Sequence, residues 1–351
     1  KIIAMAKGLA DKSDIPTVLV SKDMYMQIKG DAVGLQVQDY KTDRVELEKL
    51  YSGYEEAQLT SEQILKIDAG GIPIPDEWRH LQPNQFLIVH SSKNADHHTV
   101  ARRKGDMLIP LQYNKQTSWG LKPINPEQEM AYELLMDPEV NFVSVSGGAG
   151  SGKTIVATAV ALQKVIEEGA YRKIVFVRPV VAAGDNIGYL PGDENEKLRP
   201  WMGSFYDAIE NLIDAKAGKR QVSEKHTVYH TKPDFAVDEF IEQQRRYGVI
   251  ETKTFTYMRG RTFSDALVIV DEAQEITPHL AKLMLTRAGY GSKFVFLGDP
   301  SDNQIDNTLV DSKSNGLVYV IEKLKHSELT GHVSLRKVVR SPLAEVAERD
   351  L

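Results

Sequence analysis

The sequence of 351 residues contains no cysteine. Disulfides, cysteine-ligated zinc, iron–sulfur clusters and a thiol nucleophile are therefore excluded. No apolar run approaches the roughly 18 residues that indicate a transmembrane helix, and the first residues lack the layout of a signal peptide. These absences are compatible with a reducing, intracellular location, and we expect a cytoplasmic protein with no membrane partner.

An excess of positive charge is also absent. The chain has 43 Lys and Arg residues against 49 Asp and Glu residues, which gives a formal net charge of −6. Bulk charge therefore does not indicate a nucleic-acid-binding protein, although a locally basic channel would still bind a phosphate backbone. Hydrophobic residues make up 42% and charged residues 26%, as is typical of a globular protein. The chain begins at Lys1 rather than at Met, and we expect further sequence upstream.

Short apolar runs alternate with helical patterns from Pro123 onward. The candidate strands are residues 141–146, 173–178, 266–270, 293–297 and 332–335. The candidate helices are residues 131–136, 154–168 and 278–287. This alternation predicts an α/β fold in which a parallel sheet has helices on both faces.

Composition divides the chain into four predicted segments. Residues 1–45 have an α/β pattern, with a strand over 17–20 and a helix over 24–32, and residues 46–71 are charged and Tyr-rich, which predicts a helical linker. Prolines punctuate short apolar pieces over residues 72–121, which predicts a small β module. The remaining segment, 122–351, carries the parallel sheet, and its weakest pattern, over 211–233, indicates a mobile insertion.

One loop matches the phosphate-binding pattern G-x-x-x-x-G-K-[ST] at every fixed position. Its residues are Gly147, Gly148, Ala149, Gly150, Ser151, Gly152, Lys153 and Thr154. It follows a predicted strand and opens a predicted helix, so that backbone N–H groups and the helix dipole face a phosphate. We expect Lys153 to contact the β- and γ-phosphates of ATP and the Thr154 hydroxyl to bind Mg²⁺. The alternative is a glycine-rich connecting loop.

An acidic pair follows the apolar run 266–270. Ligands bind at the carboxyl ends of strands in such sheets, where Asp271 would hold Mg²⁺ through water and Glu272 would polarise an attacking water. Solvated acids at the end of a strand are the alternative, and the nearby P-loop favours the functional interpretation.

Three further segments have two interpretations each. Gln304 lies in a polar loop, where it would contact the γ-phosphate or the attacking water, or belong to a simple turn. Asn125 is a candidate helix N-cap, and the Gln128 amide would either read adenine or belong to that helix start. Arg340 would stabilise charge near the γ-phosphate or form a surface salt bridge.

The order of these motifs resembles a superfamily 1 helicase core. The runs RPVVAAGD at 178–185, GYLPG at 188–192, YMRGRTF at 257–263 and VDEAQE at 270–275 resemble the signature of the PhoH-like ATPases. Residues 1–45 resemble the last part of a PIN nuclease domain. The resemblance implies a RecA-like P-loop core, and ATP hydrolysis coupled to remodelling or unwinding of RNA by a homo-oligomeric, hexameric ring that is combined with a PIN ribonuclease.

The same resemblance implies roles for individual residues. Gln304 would be the γ-phosphate sensor, Asn125 and Gln128 the adenine-side motif, and Arg340 the arginine that reaches a neighbouring subunit's nucleotide. The family has its glutamine closer to the preceding Gly-Asp pair, whereas residues 301–303 intervene here.

The PIN and RNA assignments depend on fewer residues. A PIN site holds Mg²⁺ or Mn²⁺ with several carboxylates, and only Asp23 matches one of them, so we expect no RNA cleavage by this chain. Single-stranded RNA would be held through its phosphates by Arg178, Arg259 and Arg261 in the ring pore. A nucleotide-gated scaffold and a P-loop kinase are the alternative functions. Glu272 and the motif order favour hydrolysis over the kinase.

Overall fold

The computed structural model describes residues 1–12, 16–21, 24–39, 50–91, 98–179, 198–216, 235–258 and 260–337. The chain divides into two compact units, Lys1–Glu46 and Leu47–Leu351. No helix in these ranges is both long enough and apolar enough to span a bilayer.

The N-terminal unit is a small α/β arrangement. It contains helix α1 (Ile2–Ala10), strand β1 (Val18–Ser21), helix α2 (Met24–Ala32) and strand β2 (Gln36–Asp39). The two strands pair in parallel, with Leu19 opposite Val37. The helix predicted over 24–32 is confirmed, and the strand predicted over 17–20 lies one residue further along.

The second unit begins with a five-stranded sheet. Its elements are β3 (Tyr54–Leu59), α3 (Ser61–Asp68), β4 (Ile72–Pro73), β5 (Phe86–Ser91), β6 (His98–Lys104) and β7 (Met107–Pro110). The strand order is β3-β5-β6-β7-β4, with β3 parallel to β5 and the other pairs antiparallel.

The prediction of a helical linker over 46–71 is wrong. Only Ser61–Asp68 is an α-helix in the described part of that segment, and Thr60 begins it with a capping box. The preceding run YEEAQL forms strand β3, because β5 pairs with its backbone while Tyr54, Ala57 and Leu59 become buried. The charged Glu55 and Glu56 hide this pattern in the sequence, as strand preference depends strongly on tertiary context.

A parallel sheet of six strands forms the larger part of the second unit, which confirms the predicted α/β fold. Its strands are β8 (Phe142–Gly147), β9 (Lys173–Val177), β10 (Ile250–Lys253), β11 (Ala266–Val270), β12 (Lys293–Gly298) and β13 (Thr330–Leu335). Their order is β10-β9-β11-β12-β8-β13. The helices are α4 (Pro126–Met136), α5 (Lys153–Leu162, continued by a π-helix over Gln163–Glu167), α6 (Gly203–Lys216), α7 (Phe235–Arg246), α8 (Pro278–Leu285) and α9 (Gly316–Leu324). Short 3₁₀ turns are Asp76–Trp78, Arg199–Met202, Phe255–Met258, Ala273–Glu275 and Asp302–Gln304.

Both faces of this sheet are covered by helices, as predicted. Ile174 and Phe176 of β9 pack into a core that includes residues of α4, α5 and α6. Val175 and Val177 point to the opposite face, where α8 and α9 pack. Burial on both faces explains why the strands appear in the sequence as continuous apolar runs.

The prediction of a mobile insertion over 211–233 is wrong for its first part. Residues 211–216 complete helix α6, whose buried stripe includes Phe205, Ile209 and Leu212. Residues 217–234 lie outside the described ranges.

A buried polar network joins the two sheets of the second unit. The Arg102 guanidinium donates to Asp137 Oδ2 and to Asn84 Oδ1, both at 2.7 Å. Asn84 Nδ2 donates to the carbonyls of Glu328 and Thr330, both at 2.8 Å. Strand β6 is thereby fixed to the end of α4, and the loop before β5 is fixed to the start of β13.

Candidate nucleotide-binding site

The predicted site residues follow three strands of the six-stranded sheet, of which β9 and β11 are adjacent while β12 lies between β11 and β8. The P-loop leaves β8, Asp271 leaves β11 and Arg178 leaves β9. Val270 pairs with Val177 on one side and with Phe296 on the other, so these strands end at one edge. Segments far apart in sequence therefore meet where α/β sheets bind ligands.

The P-loop has the backbone that its glycines permit. Gly150 and Gly152 have φ angles of +84° and +94°, a region that side chains disfavour. A Cβ at Gly152 would also lie 2.6 Å from Gln128 Nε2. Lys153 Nζ donates to the carbonyl of Gly148 at 2.8 Å and to that of Gly147. The lysine ammonium thus lies over the loop that would surround a phosphate.

The start of helix α4 contacts the backbone of the P-loop. Asn125 Oδ1 accepts from the backbone N–H of Gln128 at 2.9 Å, which confirms its interpretation as a helix N-cap. Gln128 is buried; its Nε2 donates to the Ser151 carbonyl at 3.0 Å, and its Oε1 accepts from Ile124 N–H at 3.2 Å. Both ends of this amide therefore bind the protein's own backbone.

The acidic pair adjoins the first turn of α5. Asp271 is buried; Thr154 Oγ1 lies 3.5 Å from its Oδ1, and Ser204 Oγ donates to its Oδ2 at 2.7 Å. Burial, together with the neighbouring Glu272, raises the pKa of Asp271, while the Ser204 hydrogen bond and the charges of Arg178 and Lys153 oppose that rise. A hydroxyl beside a carboxylate is a suitable oxygen donor set for Mg²⁺.

Glu272 is held by two side chains. Arg178 Nη2 lies 3.2 Å from its Oε1, and Gln274 Nε2 donates to its Oε2 at 2.7 Å. Its backbone has a φ of +52°, in the left-handed region that is uncommon for a residue with a side chain. The fold thus sets the direction of this carboxylate.

Arg178, predicted as an RNA contact, lies at this site with a partly buried side chain. Besides Glu272, its guanidinium donates to Ser204 Oγ at 3.3 Å, and its side chain is 25% exposed. The cause is the pairing of β9 with β11, which sequence periodicity does not reveal. Arg261 is exposed, as an RNA contact requires.

Gln304 is close to the site through its backbone. Its carbonyl accepts from Gln274 Nε2 at 3.1 Å, while its side chain is exposed. Gln274 is buried, and its Oε1 accepts from Asp299 N–H at 3.1 Å. Sequence reasoning missed Gln274 as a site residue, although it lies inside the VDEAQE run, two residues after Glu272.

Helix α6 forms one wall of a cavity of about 490 Å³ beside the P-loop. Ser204, Asp207 and Asn211 line it from one face of the helix, opposite Lys153 and Thr154. A cavity of this size is in the range that small ligands occupy. The sequence did not indicate this wall.

Three predicted site residues, Asp23, Arg259 and Arg340, lie outside the described residues. In the part of the chain that the structure describes, no group of three or more His, Cys, Asp or Glu side chains is arranged to hold a metal ion.

The parallel sheet, together with the P-loop and acidic pair at the carboxyl ends of its strands, defines a P-loop nucleotide-binding protein. Residues 120–349 match the family model for the PhoH-like protein, and residues 1–41 match a PIN domain model. The chain belongs to the PhoH-like protein family, and the resemblances of the sequence to this family and to a PIN domain are confirmed.

Several curated relatives agree with this assignment. Protein PhoH2 of Bacillus subtilis is 38% identical, over 99% of this chain and 76% of its own length. Protein PhoH2 of Thermobispora bispora is 33% identical, over 98% of this chain and 72% of its own length. A solved Pif1 helicase from Candida albicans is 13% identical over 62% of this chain and 41% of its own length, with a TM-score of 0.29.

Proposed function

We propose that this protein hydrolyses ATP at the P-loop and uses the reaction to remodel or unwind RNA. The proposal of hydrolysis rests on one observation: the Asp271-Glu272 pair lies beside the P-loop, with Asp271 Oδ1 3.5 Å from Thr154 Oγ1. A P-loop alone would bind a nucleotide, whereas hydrolysis also needs a carboxylate that orients water.

Each residue then has a defined task. Lys153 contacts the β- and γ-phosphates, and Thr154 and Asp271 would hold Mg²⁺. When bound, this ion supplies neutralisation of phosphate charge. Glu272 orients a water molecule and accepts its proton as the water oxygen attacks the γ-phosphorus and the bond to the leaving ADP oxygen breaks.

The RNA part of the proposal is supported by the resemblance to helicase motifs and by the exposed Arg261. Arg261 is exposed and lies within the YMRGRTF run, which also contains Arg259. A ring, hexameric by resemblance, would concentrate such residues on one inner surface of an otherwise acidic protein.

The test is steady-state ATP hydrolysis with and without single-stranded RNA. We expect RNA to stimulate the rate of hydrolysis. We expect Glu272→Gln and Lys153→Ala to abolish hydrolysis with or without RNA. Glu328→Gln, at an exposed position away from the site, is the matched control for loss of a carboxylate. RNA-independent hydrolysis with the same sensitivity to Glu272→Gln would favour the nucleotide-gated scaffold, and transfer of phosphate to a small molecule instead of water would favour the kinase.

Unwinding needs a second measurement. A motor should separate an RNA duplex that carries a single-stranded tail, and should do so only when ATP is hydrolysed. Stimulated hydrolysis without strand separation would limit the function to remodelling.

We also propose that Arg340 acts on a neighbouring subunit's nucleotide. Mixing Lys153→Ala and Arg340→Ala subunits should then partly restore hydrolysis, because some interfaces combine an intact P-loop with an intact arginine. The absence of rescue at every mixing ratio would contradict this role.

A further inference from the structure

The carboxylate assigned to activate water already has two protein partners. Gln274 occupies Glu272 Oε2 at 2.7 Å, and the charged Arg178 occupies Oε1 at 3.2 Å. A guanidinium bound to a carboxylate oxygen competes with water for that oxygen. In this arrangement Glu272 is oriented, but its Oε1 is occupied by Arg178.

Arg178 is connected to the phosphate side of the site. Its Nη1 donates to Ser204 Oγ at 3.3 Å, Ser204 Oγ donates to Asp271 Oδ2 at 2.7 Å, and Asp271 Oδ1 lies 3.5 Å from Thr154 Oγ1. The side chains of Ser204 and Asp271 thus lie between the Arg178 guanidinium and the Thr154 hydroxyl in the first turn of α5. Ser204 and Thr154 both line the cavity beside the P-loop.

The Arg178–Glu272 ion pair is suited to exchange. The two side chains are 25% and 36% exposed, so water screens their attraction and the pair is weak. A terminal phosphate carries more charge than a carboxylate and presents oxygens that match the guanidinium fork. A phosphate at the cavity edge would therefore attract Arg178 away from Glu272.

We propose that Arg178 is a positioning residue that exchanges between Glu272 and the γ-phosphate of a bound nucleoside triphosphate. The inference rests on the proposed function of the site. A triphosphate frees Glu272 Oε1 for the attacking water, while Gln274 keeps the carboxylate in place. A diphosphate lacks the γ-phosphate and leaves the ion pair intact, so Glu272 Oε1 becomes open to the attacking water only with the triphosphate bound.

The test is a double-mutant cycle on nucleotide affinity in the absence of RNA. Dissociation constants for a non-hydrolysable ATP analogue and for ADP are measured by calorimetry for the wild type, Arg178→Gln, Glu272→Gln and the double variant. The readout is the preference for the triphosphate, meaning the ratio of the two constants. Arg172→Gln, at the exposed residue just before the other end of β9, is the matched control.

We expect Arg178→Gln to lower the triphosphate preference by about 10-fold or more, because a charge-assisted hydrogen bond to phosphate is lost. Glu272→Gln should raise that preference by about two- to fivefold, because binding no longer breaks an ion pair of this exposure. The increase should vanish in the double variant. The ratio to the ADP constant cancels any change that affects both nucleotides alike, and measurable ADP binding shows that each variant is folded.

Three results would overturn the proposal: an unchanged preference in Arg178→Gln, an effect of Glu272→Gln that persists without the arginine, or effects that appear only when single-stranded RNA is added. The last result would identify a nucleic-acid phosphate as the partner of Arg178. If Arg178→Gln fails to fold, Arg178→Lys serves instead and should give an intermediate preference, because it keeps the charge without the fork. The cycle needs neither RNA nor turnover, so failure of the RNA-motor proposal would leave it interpretable.

Discussion

The side-chain amide of Gln274 donates a hydrogen bond to the backbone carbonyl of Gln304 over 3.1 Å. The same nitrogen donates to Glu272 Oε2 at 2.7 Å, and the amide oxygen accepts from Asp299 N–H at 3.1 Å. The buried glutamine therefore connects the proposed catalytic carboxylate to the loop after β12. The exposed glutamine contributes to this connection through its backbone.

This relationship distinguishes the two glutamines experimentally. We expect Gln274→Ala to lower kcat for ATP hydrolysis by about 10- to 100-fold, because a misplaced catalytic group has a cost of that order. Gln304→Ala keeps the backbone carbonyl and should lower kcat by less than about threefold. Steady-state kinetics, with thermal unfolding as the check on folding, measure both effects. A large loss in Gln304→Ala with a near-normal Gln274→Ala would restore the sensor role to Gln304.

A second prediction concerns the adenine-side motif. Gln128 binds the backbone of Ser151 and of Ile124, so Gln128→Ala should loosen the P-loop. We expect the affinities for ATP and GTP to fall together by about 10-fold, since two hydrogen bonds of ordinary strength are lost. The ratio of the two affinities should change by less than about twofold. If Gln128 read the base, ATP affinity would fall more than GTP affinity.

Local patterns in the sequence located the centre of the site. The P-loop, the buried strand β11 and the acids that follow it each lie within a few consecutive residues. Strands buried on both faces become apolar runs, and a phosphate loop needs glycines at fixed spacing. Such constraints act along the chain and are therefore visible without the fold.

The side chains around this centre were not visible in the same way. Arg178 and Ser204 reach the acidic pair only because β9 lies beside β11 and α6 packs against the sheet. Strand β3 was mistaken for part of a linker because its stability comes from pairing with β5. These features depend on which strands and helices become neighbours in the fold. The spacing of residues within one segment does not indicate those neighbours.

The network between the two sheets leads to a prediction on stability. Arg102→Ala would leave Asp137 buried without its guanidinium partner, and breaking a buried ion pair from one side costs about 3–5 kcal/mol. We expect a decrease of that size in the free energy of unfolding, measured by urea denaturation. Arg79→Ala, which removes an exposed ion pair with Asp76, is the control and should cost less than about 1 kcal/mol.

A double variant tests the reason for that loss. Arg102→Met combined with Asp137→Asn removes both charges of the shorter ion pair and should be more stable than Arg102→Ala, because Asp137 no longer stays buried as a charge without its partner. Glu133, 3.8 Å from the Arg102 guanidinium, loses this cation in both variants. Equal losses in the two variants would show that packing, and not the charge, determines the effect.

The last prediction concerns pH. His332 is buried between β13 and β8, where Nδ1 lies 2.9 Å from Ser144 Oγ and Nε2 lies 3.1 Å from Ser334 Oγ. Burial lowers the pKa of His332 from its ordinary value of 6.5 to about 3. Below pH 6.5 the unfolded chain therefore binds a proton that the folded protein excludes.

The sign of the pH effect follows from this difference. The contribution of His332 to stability is complete above pH 6.5 and is lost as the pH falls from there toward 3. The free energy of unfolding should decrease by up to about 1.4 kcal/mol per pH unit in that window. Urea denaturation from pH 7.5 to pH 4.5 measures the slope. His332→Gln should reduce it, since glutamine does not titrate, whereas the exposed His326→Gln controls for loss of a histidine. Parallel curves for the wild type and His332→Gln would mean that the acid sensitivity of this fold comes from other groups.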